Sequence, residues 1–245
     1  MIEKQVDIKT LDGIADAEWF CPDEKGQWPG IIMYTDIGGL RPVFRDMARR
    51  LASQGFVVLV PNPFYRVSRV PVYPDPFQFG EEKTTARMGE VRKFVTPAGT
   101  ERDAHAFVWF LNGLKQVAGN IGTVGYCMGG GMAMRTAAAE PGKVAAAASF
   151  HGSQLASAES DSPHTLAPRI KAQMYFGFAI EDRTMPPEAV EKLKSALDAA
   201  GVKYEGELYA GARHGWCVKD HNVYHEPQAE HAWHHLIGFF NETLK

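Results

Sequence analysis

The sequence is poor in anything that would staple it together or anchor it. Its 245 residues include three cysteines, Cys21, Cys127 and Cys217. An odd, widely spaced set is no disulfide framework and suits a reducing compartment. No apolar run approaches the ~20 residues of a membrane-spanning helix. Residues Met1 to Asp7 lack the basic and apolar segments of a secretory signal, so a cytoplasmic location is expected. Charge of one sign is also missing. Lys plus Arg number 26 against 29 Asp plus Glu, a net −3, so no basic surplus points to nucleic acid. Phosphate-loop patterns fail too: Met134 stands where a third glycine would follow Gly129, and no Gly-Lys-Ser/Thr occurs.

What is present is ordinary globular material. Hydrophobic residues make up 45% and charged residues 22%, enough for a self-sufficient core and one domain over residues 1–245. Asp12-Gly13 between two alternating runs reads as a hairpin. Apolar runs at 28–34, 56–60, 121–125, 144–150, 172–178 and 202–209 read as strands, several too apolar for a one-sided sheet. Helical patterns fall at 41–54, 100–116, 130–139, 187–200 and 226–244, with Val43, Met47 and Leu51 proposing the buried face of the first. The alternation predicts an α/β fold, a mostly parallel, doubly wound sheet flanked by helices. Residues 61–98 interrupt it. Prolines at 61, 63, 71, 74 and 76 alternate with aromatics at 64, 65, 73, 77 and 79. This stretch reads as a lid or cover inserted above the domain.

Gly125-Tyr126-Cys127-Met128-Gly129-Gly130-Gly131 has a strand leading in and a helix leading out. Glycines two positions either side of Cys127 allow a sharp turn that projects the thiol above the sheet, over a helix N-terminus. Such a turn presents a nucleophile, and nearby backbone N–H groups can hold an oxyanion. A nucleophile placed so needs an acid and then a histidine further along. Asp182 follows the strand ending near Phe178, and His214 follows the last strand in a glycine-flanked loop. His214 would serve as general base, and Asp182 would orient it.

Gly-Tyr-Cys127-Met-Gly-Gly, Asp182 followed by Pro186, and Ala212-Arg-His214-Gly resemble the dienelactone hydrolase family of α/β-hydrolases, over about residues 6 to 242. The resemblance implies an α/β-hydrolase fold and hydrolysis of a small-molecule ester or lactone by a Cys-His-Asp triad, as in carboxymethylenebutenolidase. It implies an oxyanion hole from the N–H groups of Met128 and Ile37. Asp36 stands where that family carries a glutamate touching the thiol, so Asp36 is a candidate thiol contact. Tyr126, His151 and Trp216 are candidate pocket residues. The family also binds a substrate carboxylate with arginines, one of them four residues after the histidine, where this chain has Val218. Arg66, Arg69, Arg87, Arg92, Arg213 and Lys219 are possible replacements.

No cofactor, metal, nucleic acid or membrane partner is expected. His221 and His225, and His231 and His235, are spaced by four, as metal ligands on a helix can be. No glutamate completes a His-Glu-x-x-His motif, however, and His231 and His235 lie on an amphipathic terminal helix. Rival functions are a carboxylesterase or thioesterase on the same triad, a redox-sensing thiol protein, and a non-catalytic binding module.

Overall fold

The computed structural model describes residues 1–23, 25–73 and 77–245. Pro74 and Pro76 of the insertion lie outside the described residues. An eight-stranded sheet runs through the chain in the order β1-β2-β4-β3-β5-β6-β7-β8. The strands are β1 Ile2–Thr10, β2 Gly13–Cys21, β3 Trp28–Tyr34, β4 Val57–Pro61, β5 Val117–Tyr126, β6 Val144–Phe150, β7 Gln173–Glu181 and β8 Tyr204–Arg213. β1 and β2 form the hairpin expected at Asp12-Gly13, and β2 pairs antiparallel with β4. All other pairs are parallel.

The helices are α1 Pro42–Ala52, α2 Glu82–Arg92, α3 Pro97–Asn112, α4 Met128–Ala139, α5 Pro187–Ala199 and α6 Glu226–Leu244. α1 and α6 pack on one face of the sheet, and α3, α4 and α5 on the other. The buried stripe of α1 is Phe44, Ala48 and Leu51, with Val43 and Met47 only partly buried. The helix is therefore turned by about one residue from the face that Val43 and Met47 propose, ~100° at 3.6 residues per turn. α3 begins three residues before the expected Thr100. Pro97 supplies a ready-made first-turn φ, and the Thr96 hydroxyl accepts the Gly99 N–H at 3.1 Å. α4 is buried nearly all round, so it carries no amphipathic stripe to mark its start.

Residues 61–98 add their own small core. Phe64, Val72, Tyr73 and Val91 are buried together, with Ile37, Phe77, Met88 and Met128 packed against them. The Tyr73 hydroxyl donates to the Ile37 carbonyl at 2.6 Å, tying this segment to the loop after β3. Among the described residues no helix is long and apolar enough to cross a membrane.

Candidate active site

Strand register brings the site to one edge. Tyr34 lies beside Gly125, Tyr126 beside Phe150, and Phe150 beside Gly177. The carboxyl ends of β3, β5 and β6 thus finish nearly level, and β7 runs on to Glu181. The residues that follow them, Ile37, Cys127, Ser153 and Asp182, converge where the strand order reverses between β3 and β5. Crevices at such switch points are where open α/β sheets bind ligands.

Cys127 sits at the single-residue junction between β5 and α4, with φ 55° and ψ −118°. A side chain rarely adopts positive φ, and a residue held there is over-determined by its surroundings. The close approaches show how. A Cβ on Gly125 would fall 1.9 Å from the Gly129 carbonyl oxygen, and one on Gly129 would fall 2.5 Å from the carbonyls of Tyr34 and Thr35. Only glycine lets the helix start press this tightly onto β3 and β5. The Cys127 N–H is shared between the Phe150 carbonyl and His151 Nδ1, each at 3.1 Å. The Cys127 carbonyl accepts from Gly130 N–H at 3.1 Å and Ser153 N–H at 3.0 Å.

Asp182 and His214 come from different strand ends and meet at 2.7 Å, Oδ2 to Nδ1. The other Asp182 oxygen accepts the Thr184 N–H at 2.8 Å and the Thr184 hydroxyl at 2.7 Å. Burial of Asp182 opposes its ionisation, but His214 and Thr184 outweigh that and keep its carboxyl below the usual range. For His214, burial works to lower the pKa. The Asp182 carboxylate and the Cys127 sulfur overcome it and carry the imidazole up to about 10. Asp182 and His214 thus form one hydrogen-bonded line, and the Cys127 sulfur acts on its imidazole end electrostatically.

Beneath the line, His151 is buried and held at φ 39°. Its ring stands edge-on to His214 at 5.1 Å and to Trp216 at 5.2 Å. Burial and the neighbouring His214 charge push its pKa well down, so it stays neutral. Nδ1 accepts from Cys127, which puts the His151 proton on Nε2.

The thiol opens on a cavity of about 530 Å³. Apolar wall comes from Ile37, Met88, Val95, Met128, Met132 and Pro163, and polar wall from Ser153, Gln154 and Thr184. α2, inside the inserted segment, supplies Met88 and Arg92. Two arginines line the space. Arg135 is held by Glu101 at 3.1 Å and by the Asp161 carbonyl, whereas Arg92 is exposed at the rim.

A match to the model of the dienelactone hydrolase family covers residues 15–244. The chain belongs to this family. It is 27% identical over 229 residues to a Synechocystis protein named "Putative carboxymethylenebutenolidase", covering 91% of this chain and 90% of that one. It is 26% identical over 225 residues to the carboxymethylenebutenolidase of Rhodococcus opacus, covering 90% of this chain and 84% of that one. The crystal structure titled "Putative Dienelactone Hydrolase" from Klebsiella pneumoniae superposes with a TM-score of 0.86 at 23% identity, over 98% of each chain. The expected α/β-hydrolase architecture is therefore present, and the chain is a dienelactone hydrolase-like hydrolase.

Three expected pocket residues lie elsewhere. Asp36 was a candidate thiol contact by the family resemblance. Its carboxylate is instead taken up by Arg41 at 2.6 and 2.9 Å, His221 at 2.9 Å and the Gly38 N–H at 2.8 Å. Its partners are thus its own loop and the loop that carries His221. Tyr126 points to the opposite side of the sheet, into a separate cavity beside Cys217 and Trp233. Trp216 is fully buried behind His151. Ser153 and Thr184, by contrast, had drawn no attention in the sequence. The Ser153 hydroxyl stands 3.3 Å from the Cys127 sulfur. Both follow the carboxyl ends of parallel strands, and a search of every such end would have reached them.

Proposed function

We propose that this hydrolase cleaves a carboxylic ester or lactone through Cys127. The support is a single juxtaposition: a thiol on a positive-φ turn, open to a 530 Å³ cavity and backed by an imidazole that a buried carboxylate orients. His214 takes the thiol proton, and the thiolate attacks the substrate carbonyl. The tetrahedral oxyanion sits against the N–H groups of Met128 and Ile37. Loss of one such donor costs roughly 3 kcal/mol in other hydrolases. Collapse expels the alkoxide, which takes the proton from His214, and leaves a thioester on Cys127. His214, now neutral, deprotonates water to release the acid and regenerate the thiol. Asp182 holds Nδ1 throughout, so the catalytic nitrogen is always Nε2.

The cavity suggests an acyl group with an apolar body and an acidic end. Met88, Val95 and Met132 would take the first, and Arg92 the second. Rhodococcus opacus carboxymethylenebutenolidase, by its name, acts on such a carboxylated lactone. The test is hydrolysis of an unsaturated carboxylated lactone, an uncharged aryl ester and an acyl thioester by wild type and Cys127→Ala. Turnover lost in the variant, with a wild-type thioester adduct trapped by mass spectrometry, supports the reading. Equal turnover in both proteins, or none on all three substrates, refutes it. Arg92→Gln should raise KM for the carboxylated lactone about tenfold and leave the aryl ester unchanged.

A further inference from the structure

On the far side of β8, against α6, three ligating side chains converge. His231 and His235 are one helical turn apart on α6, and Glu207 reaches them from β8. Their ligand atoms all lie within 4.8 Å of one another. His231 Nε2 is 2.7 Å from one Glu207 oxygen, and His235 Nε2 is 3.5 Å from the other. The two imidazole centroids are 4.6 Å apart.

We infer that Glu207, His231 and His235 form a binding site for one divalent transition-metal ion such as Zn²⁺. The donor set decides the class. Two imidazoles and a carboxylate suit zinc and its neighbours, whereas calcium and magnesium take oxygen ligands. The spacing decides the geometry. Bonds of ~2.0–2.1 Å at tetrahedral angles put neighbouring donors about 3.3–3.5 Å apart. The His235–Glu207 distance already matches. The His231–Glu207 distance opens by about 0.6 Å once a metal replaces the proton between them.

Support from behind sets this cluster apart from an ordinary surface ion pair. The buried Tyr175 hydroxyl donates to Glu207 at 3.2 Å and meets the Tyr209 hydroxyl at 2.7 Å. Tyr175 also stacks on His235 at 5.8 Å, and Tyr209 stands edge-on to His231 at 5.5 Å. Carboxylate and both rings are thus oriented by core residues, the outer layer that fixes metal ligands elsewhere. All three ligands remain partly exposed, leaving the fourth position for water. Bound there, the ion would clamp α6 to the strand that ends one residue before His214. The histidine pair was visible in the sequence; its third ligand comes from a strand 24 residues upstream, outside any helix motif.

The experiment is calorimetric titration of chelator-stripped, full-length protein with Zn²⁺ alone, repeated with Co²⁺ for its visible spectrum. One ion per chain should bind, without the thiolate charge-transfer absorption that Cys127 would add. At a hundredfold excess over Kd the melting temperature should rise on the order of 5–10 °C. His235→Ala should abolish the rise, and Tyr175→Phe should weaken binding about tenfold. Cys127→Ala should bind as wild type does. Failure of wild type to bind, binding retained in His235→Ala, or binding lost in Cys127→Ala would each overturn the assignment.

Discussion

Two histidine–aspartate pairs stand near the same sheet edge, and they do different things. In one, Asp182 holds His214 at 2.7 Å, and the Cys127 sulfur that acts on the imidazole opens on the cavity. In the other, Asp36 holds His221 at 2.9 Å, with the aspartate buried and the imidazole partly buried. There the aspartate also binds Arg41, which in turn grips Asp220 at 2.7 and 2.9 Å. Phe79 covers His221 at 4.1 Å, and Phe77 covers the guanidinium at 4.9 Å. The lesson is that an acid and an imidazole do not make a catalytic pair. In the proposed mechanism the first leaves Nε2 to move a proton. The second spends its charge on a fixed counter-ion, so its work is to hold the loop carrying Ile37.

Separating these roles should give effects of very different size. The largest belongs to the first pair. Asp182→Asn should keep the fold and lower kcat for ester hydrolysis about 10⁴-fold, by loss of the orienting carboxylate. Next comes the second pair. Arg41→Ala leaves Asp36 and Asp220 without their cation, and removal of one partner of a buried ion pair costs roughly 3–5 kcal/mol. Urea denaturation should show that loss.

The pairs should also separate by pH. His214 rises from 6.5 in the unfolded chain to about 10 in the folded one, against the opposing effect of burial. The folded chain holds that proton more tightly. Its contribution to stability is full below pH 6.5 and is lost as pH climbs through about 10. The melting temperature of wild type, compared with His214→Gln, should fall across that alkaline window. Asp36 behaves in the opposite sense. Burial opposes ionisation, but His221 and Arg41 hold its carboxyl far below the ordinary 3.8. Its contribution is present above pH 3.8 and is lost only in stronger acid, so Asp36→Asn should lower the melting temperature across neutral and alkaline pH and lose its effect only in strong acid. The smallest effect is that of Ser153→Ala. Removing a neutral hydroxyl 3.3 Å from the sulfur should change kcat/KM by about threefold to tenfold.

Legibility in the sequence followed how local each cause was. The Asp12-Gly13 hairpin, β3, β6 and α6 were readable from turn chemistry and periodicity, because both act over a few neighbours. The turn at Cys127 was readable for the same reason: its glycines are required by contacts within one strand–helix unit and the adjoining β3. α4 was harder to bound, since a helix buried all round has no polar face. Asp36 was misplaced because its partners, Arg41 and His221, combine a near neighbour with a residue 185 positions away. Ser153 and Thr184 carry no motif at all; strand register sets Ser153 beside Cys127, and a local turn sets Thr184 on Asp182.

By itself the sequence determined the α/β alternation, the strained thiol turn, and the order of cysteine, acid and histidine along the chain. Each of these rests on short-range backbone geometry and side-chain period. The tertiary structure decided that Asp36 meets Arg41 and His221, where the cavity opens, and that Glu207 faces two histidines across a strand and a helix. Those depend on strand register and helix docking. They are the outcome of packing the whole core, and no local stretch encodes them.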